Sequence, residues 1–281
     1  MTIDPRTRRA DCERIAREAG ALLRSRFGDP GEVLGKGETA DEIARMGDLV
    51  TEVDGLAEAL ILGRIAELSA DAVVLAEEGG LTTPDGSRTD ADPATAAEVW
   101  LIDPLDGTVN FAHGVPHFCT SIACWSNGEP VAGAVVDPMV GELFSFERHP
   151  DGSATAFHDG VEVELPDVRE SHQTMLYVGG GGASLIPLIR AFRSWRRMGS
   201  ATLALCWVGV GRCGAYVQPG LLNPWDWGVG APFVQAVGGI VTDSGGLDWA
   251  AKLSGTTGMV AAPPRIHAAI ADLAAAASAS G

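Results

Sequence analysis

The segment Trp100-Leu-Ile-Asp103-Pro-Leu-Asp106-Gly-Thr108-Val-Asn110-Phe111 decides the predicted fold and the predicted site. It starts inside the apolar run 99–102, which predicts a buried strand that ends at Asp103. Pro104 restricts the backbone of the turn that follows. The turn can therefore direct Asp103, Asp106 and the Leu105 carbonyl at one point. Mg²⁺ prefers several oxygen ligands in a near-octahedral array, so the segment predicts a magnesium site at the end of a strand.

Gly107 and Thr108 follow this turn, where a helix is predicted to begin. Backbone N–H groups at a helix start bind phosphate well, so these two residues are candidates for a phosphate cradle. A capped turn is the alternative interpretation, because Asp before Pro or Gly is common for local reasons. One such pair alone would favour that alternative. The coincidence of several features at the ends of predicted strands favours a site.

Three other segments supply carboxylates that could join this site. Asp54 lies in the first turn of a predicted helix, Glu77 follows a short buried strand, and Asp226 opens an apolar helix. Each also has a local explanation. Thr51, Asp54 and Asp226 are common residue types for helix caps, and Glu77 could belong to a solvated turn. These residues become informative only when they are considered together.

Strands and helices alternate along the chain, which predicts a layered α/β fold. Helices are predicted at residues 5–27, 52–69, 184–195, 201–210, 226–237 and 264–277. Strands are predicted at residues 72–76, 99–102, 118–125, 130–136, 142–146, 174–178, 215–218 and 259–262. The polar stretch 150–160 marks an expected boundary. We predict an N-terminal α+β subdomain, residues 1–150, with most metal ligands, and a C-terminal α/β subdomain, residues 151–281, with Asp226 and substrate contacts.

Composition and charge narrow the function. The chain of 281 residues has 37 acidic and 20 basic residues and a formal net charge of −17, which opposes attraction to nucleic acid or anionic membranes. The same charge would repel phosphate esters unless cations neutralise the site. The five cysteines form no CxxC pair, and we find neither a signal sequence nor a long apolar run. We expect a cytoplasmic protein that binds neither nucleic acid nor a membrane.

Four ordered blocks resemble those of the inositol monophosphatase family: residues 48–54, 76–80, 100–111 and 224–239. Gly199-Ser200-Ala201 also matches the family, and the similarity extends from the first predicted helix to Pro264. The resemblance implies an αβαβα sandwich. It also implies a Mg²⁺-dependent, Li⁺-sensitive phosphatase that uses an activated water and forms no covalent phosphoenzyme. Family members are typically homodimers, so we expect a homodimer here.

The resemblance implies a metal-binding role for five residues. Glu77, Asp103 and the Leu105 carbonyl would hold one Mg²⁺, for which Mn²⁺ is a possible substitute. Asp103, Asp106 and Asp226 would hold a second ion. Glu77 would also help to hold a third, weaker one.

The resemblance also implies catalytic and substrate-binding roles. Asp54 and Thr108 would orient and deprotonate the attacking water, with Glu77 beside them. The substrate-binding residues would come from both halves of the chain: Asp106, Gly107, Thr108, Ser200, Ala201, Gln218 and Asp226.

Departures from the family pattern affect substrate recognition. Lys36 would match a basic residue near the site, but its distance in sequence from Asp48 is longer than in the family, and a solvated loop lysine explains it equally well. Gln218 stands near the position where inositol-specific members carry a glutamate. The segment from Gln218 to Asp226 is one residue longer. Inositol specificity is therefore open.

Inositol 1-phosphate is the leading candidate substrate. Val109 replaces a lysine that is common in the adenosine-bisphosphate and histidinol-phosphate phosphatases. Asn110-Phe111 likewise favours the inositol or fructose-bisphosphate branch. Fructose-1,6-bisphosphatase, histidinol-phosphatase and adenosine 3',5'-bisphosphate phosphatase activities remain alternatives.

Two other functions compete with this interpretation. A haloacid-dehalogenase-like phosphatase needs a nucleophilic Asp two residues before Asp106, and Pro104 occupies that position. A non-catalytic regulatory interaction protein stays open, and metal-dependent turnover would distinguish it from an enzyme. His113 and His117 are interpreted as loop or packing residues rather than zinc ligands, since Pro116 separates them.

Overall fold

Two β-sheets, with helices between and outside them, organise the chain in the computed structural model. The structure describes residues 3–35, 49–167, 170–180, 185–247 and 253–278. Residues 36–48, which include Lys36 and Asp48, lie outside the described residues. None of the described helices has the length and apolar character needed to span a bilayer.

The larger sheet has eight strands in the order β10-β9-β8-β7-β6-β5-β3-β4. Its strands are β3 (Val73–Ala76), β4 (Gly80–Thr82), β5 (Val99–Asp106), β6 (Cys119–Ser126), β7 (Glu129–Asp137), β8 (Glu142–Arg148), β9 (Ala154–His158) and β10 (Val161–Glu162). β3 and β5 run parallel, whereas the other neighbours are antiparallel. A separate two-stranded ribbon pairs β1 (Val33–Gly35) with β2 (Leu49–Thr51).

The smaller sheet has five strands in the order β12-β11-β13-β15-β14. Its strands are β11 (Met175–Val178), β12 (Ser194–Arg196), β13 (Ala215–Leu222), β14 (Ile240–Thr242) and β15 (Thr257–Ala262). A 3₁₀ turn at Ser171–Gln173 precedes β11. The helices are α1 (Pro5–Arg26), α2 (Glu52–Leu68), α3 (Thr108–Ala112), α4 (Ile186–Arg190), α5 (Ala201–Gly209), α6 (Pro224–Trp227), α7 (Gly230–Ala236) and α8 (Pro264–Ser278).

Three apolar cores hold five layers together. α1 and α2 bury residues such as Ile15 and Ile61 against one face of the larger sheet. The other face packs on α5 and α7, which also contact the inner face of the smaller sheet. α4 and α8 cover the outer face of the smaller sheet through residues such as Leu188 and Ile270. This arrangement is the αβαβα sandwich that the sequence predicts, so the fold class is confirmed.

The predicted helix over residues 184–195 is wrong in its second half. α4 ends at Arg190, and residues 194–196 form β12, which pairs parallel with β11. The Arg193 N–H donates to the Thr174 carbonyl oxygen at 3.0 Å, which draws the chain onto the edge of the sheet. A helical continuation would not provide this edge pairing.

The predicted helix over residues 226–237 is two helices, α6 and α7. Pro232 has no N–H to donate to the Gly228 carbonyl, as a continuous helix would require. The Trp125 indole N–H donates to that carbonyl at 3.1 Å instead. β9 and β10 also continue the larger sheet beyond residue 150, although the proposed division at residues 150/151 stays a prediction.

Candidate active site

The parallel pairing of β3 with β5 brings two acidic residues to the same edge of the larger sheet. Ala76 is in register with Ile102, and the Glu77 N–H donates to the Ile102 carbonyl oxygen at 3.2 Å. Glu77 and Asp103 are the next residues on these two strands. Because the carboxyl ends of parallel strands meet at one edge, this geometry places both side chains in the same cleft.

The turn after Asp103 is held by hydrogen bonds. The pairing of β5 with β6 shifts register between Asp103 and Asp106, as in a β-bulge that redirects side chains. Asp103 Oδ1 accepts a bond from the Leu105 N–H at 3.1 Å. The Thr120 hydroxyl donates to the Pro104 carbonyl oxygen at 3.0 Å. The local structure therefore fixes the two carboxylates and the Leu105 carbonyl relative to each other.

Asp106 connects the larger sheet to the start of α5. Its Oδ2 accepts bonds from the Ser200 hydroxyl at 2.6 Å and from the Thr202 N–H at 2.8 Å. Ser200 is the N-cap of α5 and also accepts from the Leu203 N–H. The N-terminus of a helix stabilises a carboxylate at this position. Ser200 therefore positions Asp106.

Asp226 enters the cleft from α6. Asn223 and Asp226 form a capping box, in which the Asn223 N–H donates to Asp226 Oδ2 at 2.6 Å. The Thr202 hydroxyl donates to the Asp226 carbonyl oxygen at 2.9 Å. The capping box fixes the start of α6, and the Thr202 bond attaches α6 to α5, so Asp106 and Asp226 are positioned by adjacent elements.

Four carboxylates line one cleft of about 640 Å³: Glu77, Asp103, Asp106 and Asp226. Burial raises the pKa of Asp103 well above its usual range, and the charges of Glu77, Asp106 and Asp226 raise it further. Burial also raises the pKa of Asp106, although the bonds from Ser200 and Thr202 oppose this effect. The cluster is therefore costly without compensating positive charge.

The donor set fits a hard divalent cation. Carboxylate oxygens with a nearby peptide carbonyl are the ligands that Mg²⁺ and Mn²⁺ prefer. Within the described ranges, no three His, Cys, Asp or Glu side chains form a ready-made metal-ligand group. The four carboxylates nevertheless line the same cleft.

Thr108 and Asp54 meet beside the carboxylates. The Thr108 hydroxyl lies 3.1 Å from Asp54 Oδ1 and 2.9 Å from the Leu105 carbonyl oxygen. Asp54 is buried, and its Oδ2 accepts bonds from the N–H and the hydroxyl of Thr51. The capping role proposed for Thr51 and Asp54 is therefore confirmed, while the second oxygen of Asp54 reaches the cleft residue Thr108.

Gly107 permits the close turn into α3. Its φ of 100° is in the left-handed region, and a Cβ there would lie 3.1 Å from the His117 carbonyl oxygen. Glycine is therefore required where Thr108 begins the helix. The helix start that the sequence predicts at this point is confirmed.

Ser200, Ala201 and Gln218 line a smaller chamber of about 280 Å³ that adjoins the cleft at Asp106 and Asp226. The Gln218 amide N–H donates to the Gly220 carbonyl oxygen at 2.6 Å. Its Oε1 is buried and has no hydrogen-bond partner among the described residues. A Cβ on Gly179 would lie 1.9 Å from that atom. Gln218 is thus packed into the wall of the chamber.

The two histidines have different surroundings. His113 is exposed, and its Nδ1 lies 2.8 Å from the Val109 carbonyl oxygen. His117 is buried, with Nε2 3.1 Å from the Tyr177 hydroxyl, and packs on Tyr177 and Trp207. Burial lowers the pKa of His117 to about 4. His117 is therefore a neutral packing residue at neutral pH, which agrees with its interpretation from the sequence.

Sequence reasoning missed three residues of the site. Thr202 supplies the backbone bond to Asp106, Asn223 caps the turn at Asp226, and Arg197 lines the cleft. The Asn-x-x-Asp spacing of residues 223–226 is a capping signal that could have identified Asn223. Arg197 has no comparable local signal.

The carboxylate cluster and the αβαβα fold define one class of protein. The model described as the inositol monophosphatase family matches residues 6–279. The chain belongs to the inositol monophosphatase family and is a phosphomonoesterase.

Individual relatives agree with this assignment. The chain is 34% identical to the Nus factor SuhB of Vibrio cholerae over 213 residues. The aligned segment covers 72% of this chain and 74% of that protein. It is 31% identical over 245 residues to inositol monophosphatase 1 of Solanum lycopersicum, with 83% of each chain covered. The solved structure of a Thermotoga maritima IMPase superimposes with a TM-score of 0.81 at 28% identity, over 95% of this chain and 96% of that one.

Proposed function

We propose that this protein hydrolyses the phosphate monoester of a small sugar or polyol, with inositol 1-phosphate as the leading candidate. One observation carries the proposal. Carboxylates from three distant segments, at Glu77, Asp103–Asp106 and Asp226, line one cleft beside the Thr108–Asp54 pair. A cluster of this kind serves metal-assisted attack of water on phosphorus.

Two or three Mg²⁺ ions would be held by Glu77, Asp103, the Leu105 carbonyl, Asp106 and Asp226, with Mn²⁺ as a possible substitute. When bound, such ions neutralise phosphate charge and increase the acidity of water. The chain positions the ligands beforehand. Ser200 and Thr202 hold Asp106, and the Leu105 N–H holds Asp103. These bonds support the proposed ligand set.

Asp54, Thr108 and Glu77 would orient the attacking water and accept its proton. The Thr51 bonds fix Asp54, and Asp54 Oδ1 in turn fixes the Thr108 hydroxyl. A hydroxyl that donates to a buried carboxylate keeps its lone pairs for a proton from water. The proton could then pass through Thr108 to Asp54, with Glu77 beside them. This arrangement supports direct attack by water without a covalent intermediate.

The phosphate would lie against the N–H groups of Gly107 and Thr108, close to Asp106 and Asp226. The rest of the substrate would extend toward the chamber lined by Ser200, Ala201 and Gln218. Because the amide of Gln218 is bonded to Gly220, its contact with a substrate hydroxyl would be weaker than that of a glutamate. Inositol recognition would therefore differ from that of glutamate-containing members of the family.

The decisive experiment is phosphate release from a panel of esters with and without Mg²⁺ and Li⁺. The panel contains inositol 1-phosphate, fructose 1,6-bisphosphate, histidinol phosphate and adenosine 3',5'-bisphosphate. We expect Mg²⁺-dependent, Li⁺-inhibited turnover that is highest for a sugar or polyol phosphate. Turnover that is unaffected by chelation of metal would contradict the proposal.

A second candidate function is a regulatory interaction, because the Vibrio cholerae relative is named a Nus factor. An interaction protein without activity would release phosphate from no ester of the panel.

We also propose a homodimer and a cytoplasmic location. All five cysteines are buried free thiols, as is usual in a reducing compartment, and sedimentation would test the dimer.

A further inference from the structure

His117 packs as a neutral ring, but its hydrogen bonding uses one of its two nitrogens. Nε2 lies 3.1 Å from the Tyr177 hydroxyl, whereas Nδ1 has no hydrogen-bond partner among the described residues. The ring lines the cleft, although the residue is only 5% exposed. Polar atoms in such surroundings are normally satisfied by a partner, so Nδ1 is a candidate contact for a ligand in the cleft.

The surroundings of Tyr177 decide which nitrogen of His117 carries the proton. Burial raises the pKa of Tyr177, whereas a hydrogen bond from the Ser200 N–H to its oxygen opposes that effect. The hydroxyl therefore accepts from Ser200 and donates its own proton to His117 Nε2. Burial lowers the pKa of His117 to about 4, so the ring is neutral at neutral pH. A neutral imidazole that accepts at Nε2 carries its proton on Nδ1.

Aromatic contacts and a backbone bond fix the direction of the ring. Its centroid lies 6.4 Å from that of Tyr177 in a stacked arrangement and 5.2 Å from that of Trp207 edge to face. Asn110 Nδ2 donates to the His117 carbonyl oxygen at 2.7 Å, and a Cβ on Gly107 would lie 3.1 Å from that oxygen. The two ring nitrogens point in different directions, so Nδ1 points away from Tyr177. The Nδ1–H group is therefore held at a fixed position beside the proposed phosphate cradle.

A neutral donor has a distinct use in this cleft. Four carboxylates line it, and a side chain with a positive charge would pair with them. A sugar or polyol presents hydroxyl oxygens, which accept hydrogen bonds as well as donate them. An uncharged N–H group can bind such an oxygen without forming an ion pair with the carboxylates.

We infer that His117 is a specificity-determining residue whose Nδ1–H donates a hydrogen bond to a hydroxyl oxygen of the substrate. This inference rests on the proposed function, which places the hydrolysed phosphate beside Gly107 and Thr108. Tyr177 is a positioning residue, since its hydroxyl holds the imidazole in the Nδ1–H tautomer. An ester without hydroxyl groups leaves this donor unpaired and is a poorer substrate.

The kinetic test compares two cyclic esters that differ in their hydroxyl groups, inositol 1-phosphate and cyclohexyl phosphate. The kcat/KM for each ester is measured in Mg²⁺ with the wild type, His117→Asn, His117→Gln and His113→Asn. The Asn amide places an N–H donor near the position of Nδ1, whereas the Gln amide reaches the position of Nε2. His113→Asn is the matched control, since His113 is exposed and does not line the cleft. Thermal melting verifies that each variant is folded.

We expect His117→Gln to lower kcat/KM for inositol 1-phosphate about 5-fold, mainly through KM, because one neutral hydrogen bond is lost. Cyclohexyl phosphate should change by less than about twofold, because it offers no hydroxyl oxygen to the donor. His117→Asn should retain more of the preference for the inositol ester than His117→Gln, and His113→Asn should retain all of it. Equal losses for both esters, or a larger loss of preference in His117→Asn than in His117→Gln, would overturn the inference.

A spectroscopic measurement separates this inference from the proposed function. The nitrogen NMR shifts of the His117 ring, assigned by comparison with His117→Gln, show which nitrogen is protonated. We expect a proton on Nδ1 in the wild type and a mixture of tautomers in Tyr177→Phe. Inositol 1-phosphate in Ca²⁺ should move the Nδ1 signal of the wild type, whereas cyclohexyl phosphate should not.

A proton on Nε2, or an Nδ1 signal that the inositol ester does not move, rejects the inference. If the wild type hydrolyses no ester, the proposed function fails, and these spectra still decide the role of His117.

Discussion

The inner wall of the cleft and its rim are built differently. The inner wall, which we define as Asp103, Asp106 and Thr108 together with Asp54 behind Thr108, is buried, and each of its side chains has a hydrogen-bond partner. The rim, defined as Val109, Val115, Arg197 and Met198, is exposed or half-buried. Val109 is 41% exposed, although it directly follows Thr108, which is 6% exposed. The change from wall to rim occurs within one residue.

We expect the residues of the inner wall to be required for the reaction and those of the rim to influence which substrate binds. The inner wall belongs to the layers of the fold, because Asp106 joins the larger sheet to α5 and Asp54 caps α2. A change there affects reactive geometry. The rim contributes little to the core, so its residues can vary at small cost in stability. We expect the effects of mutation to fall steeply from the wall to the rim.

The largest effect is expected for Asp103→Asn. It removes a proposed metal ligand, so kcat/KM should fall by roughly 10³-fold or more, while an Asn oxygen can still accept the Leu105 N–H. Loss of one negative charge from a repulsive buried cluster should leave the melting temperature in EDTA equal to or above that of the wild type.

Steady-state kinetics and thermal melting check this prediction, with the exposed Asp71→Asn as a matched control. Asp226→Asn should behave like Asp103→Asn, since its side chain lines the same cleft. Full activity in either of the two variants would refute the ligand assignment.

Thr108→Val is expected to have the next largest effect. The replacement keeps the β-branched shape but removes the hydroxyl that meets Asp54 Oδ1. Loss of a proton-transfer group costs about 10²-fold or more in kcat, whereas KM should change little. Thr242→Val is the control, because its buried hydroxyl meets His267 Nε2 at 3.2 Å and does not line the cleft. That control should lose about 1 kcal/mol of stability and keep its kcat within a few-fold. Similar kcat losses in both variants would argue against a catalytic hydroxyl.

Removal of divalent metal should change stability by a moderate amount. Ions that bind only the folded state raise its stability by about 2.7 kcal/mol at 100 times the dissociation constant. For a chain of this size that corresponds to a rise in melting temperature of roughly 5–10 °C. Differential scanning calorimetry in EDTA and in Mg²⁺ measures the shift. Asp103→Asn should lose most of this shift, and a shift that it retains in full would place the ions elsewhere.

The inner wall could be predicted from the sequence better than the rim. The buried strand ending at Asp103 and the turn into Gly107 depend on local signals: an apolar run, a proline and a glycine. Their position beside Glu77 follows from the parallel pairing of two short apolar strands. Local patterns therefore predicted a layered α/β fold and the turn after Asp103, whereas the αβαβα sandwich and the full set of acidic residues came from the family resemblance.

The position of β12 and the side-chain orientations at the rim depend on contacts between distant segments. No local sequence pattern predicts such contacts. β12 replaces the second half of a predicted helix because Arg193 bonds to Thr174 across the sheet edge. The amide of Gln218 is turned toward Gly220, and Arg197 reaches Gly179, which directly follows β11. Residue identity alone gave neither orientation. For the rim, the sequence therefore offered only the family resemblance and did not predict the side-chain orientations.

Val109→Thr is expected to have the smallest effect, and it tests the contrast most directly. It is the reverse of Thr108→Val at the neighbouring position, with the same change of one methyl and one hydroxyl. Since Val109 lies on the exposed face of α3, an added hydroxyl can be hydrated, and stability should change by less than about 0.5 kcal/mol. The kcat/KM for any ester should stay within about twofold of the wild type. Chemical denaturation and kinetics on both variants provide the comparison. A loss of activity in Val109→Thr as large as that in Thr108→Val would show that the catalytic geometry extends to the rim, because a buried and an exposed side chain of one short helix would then be equally sensitive.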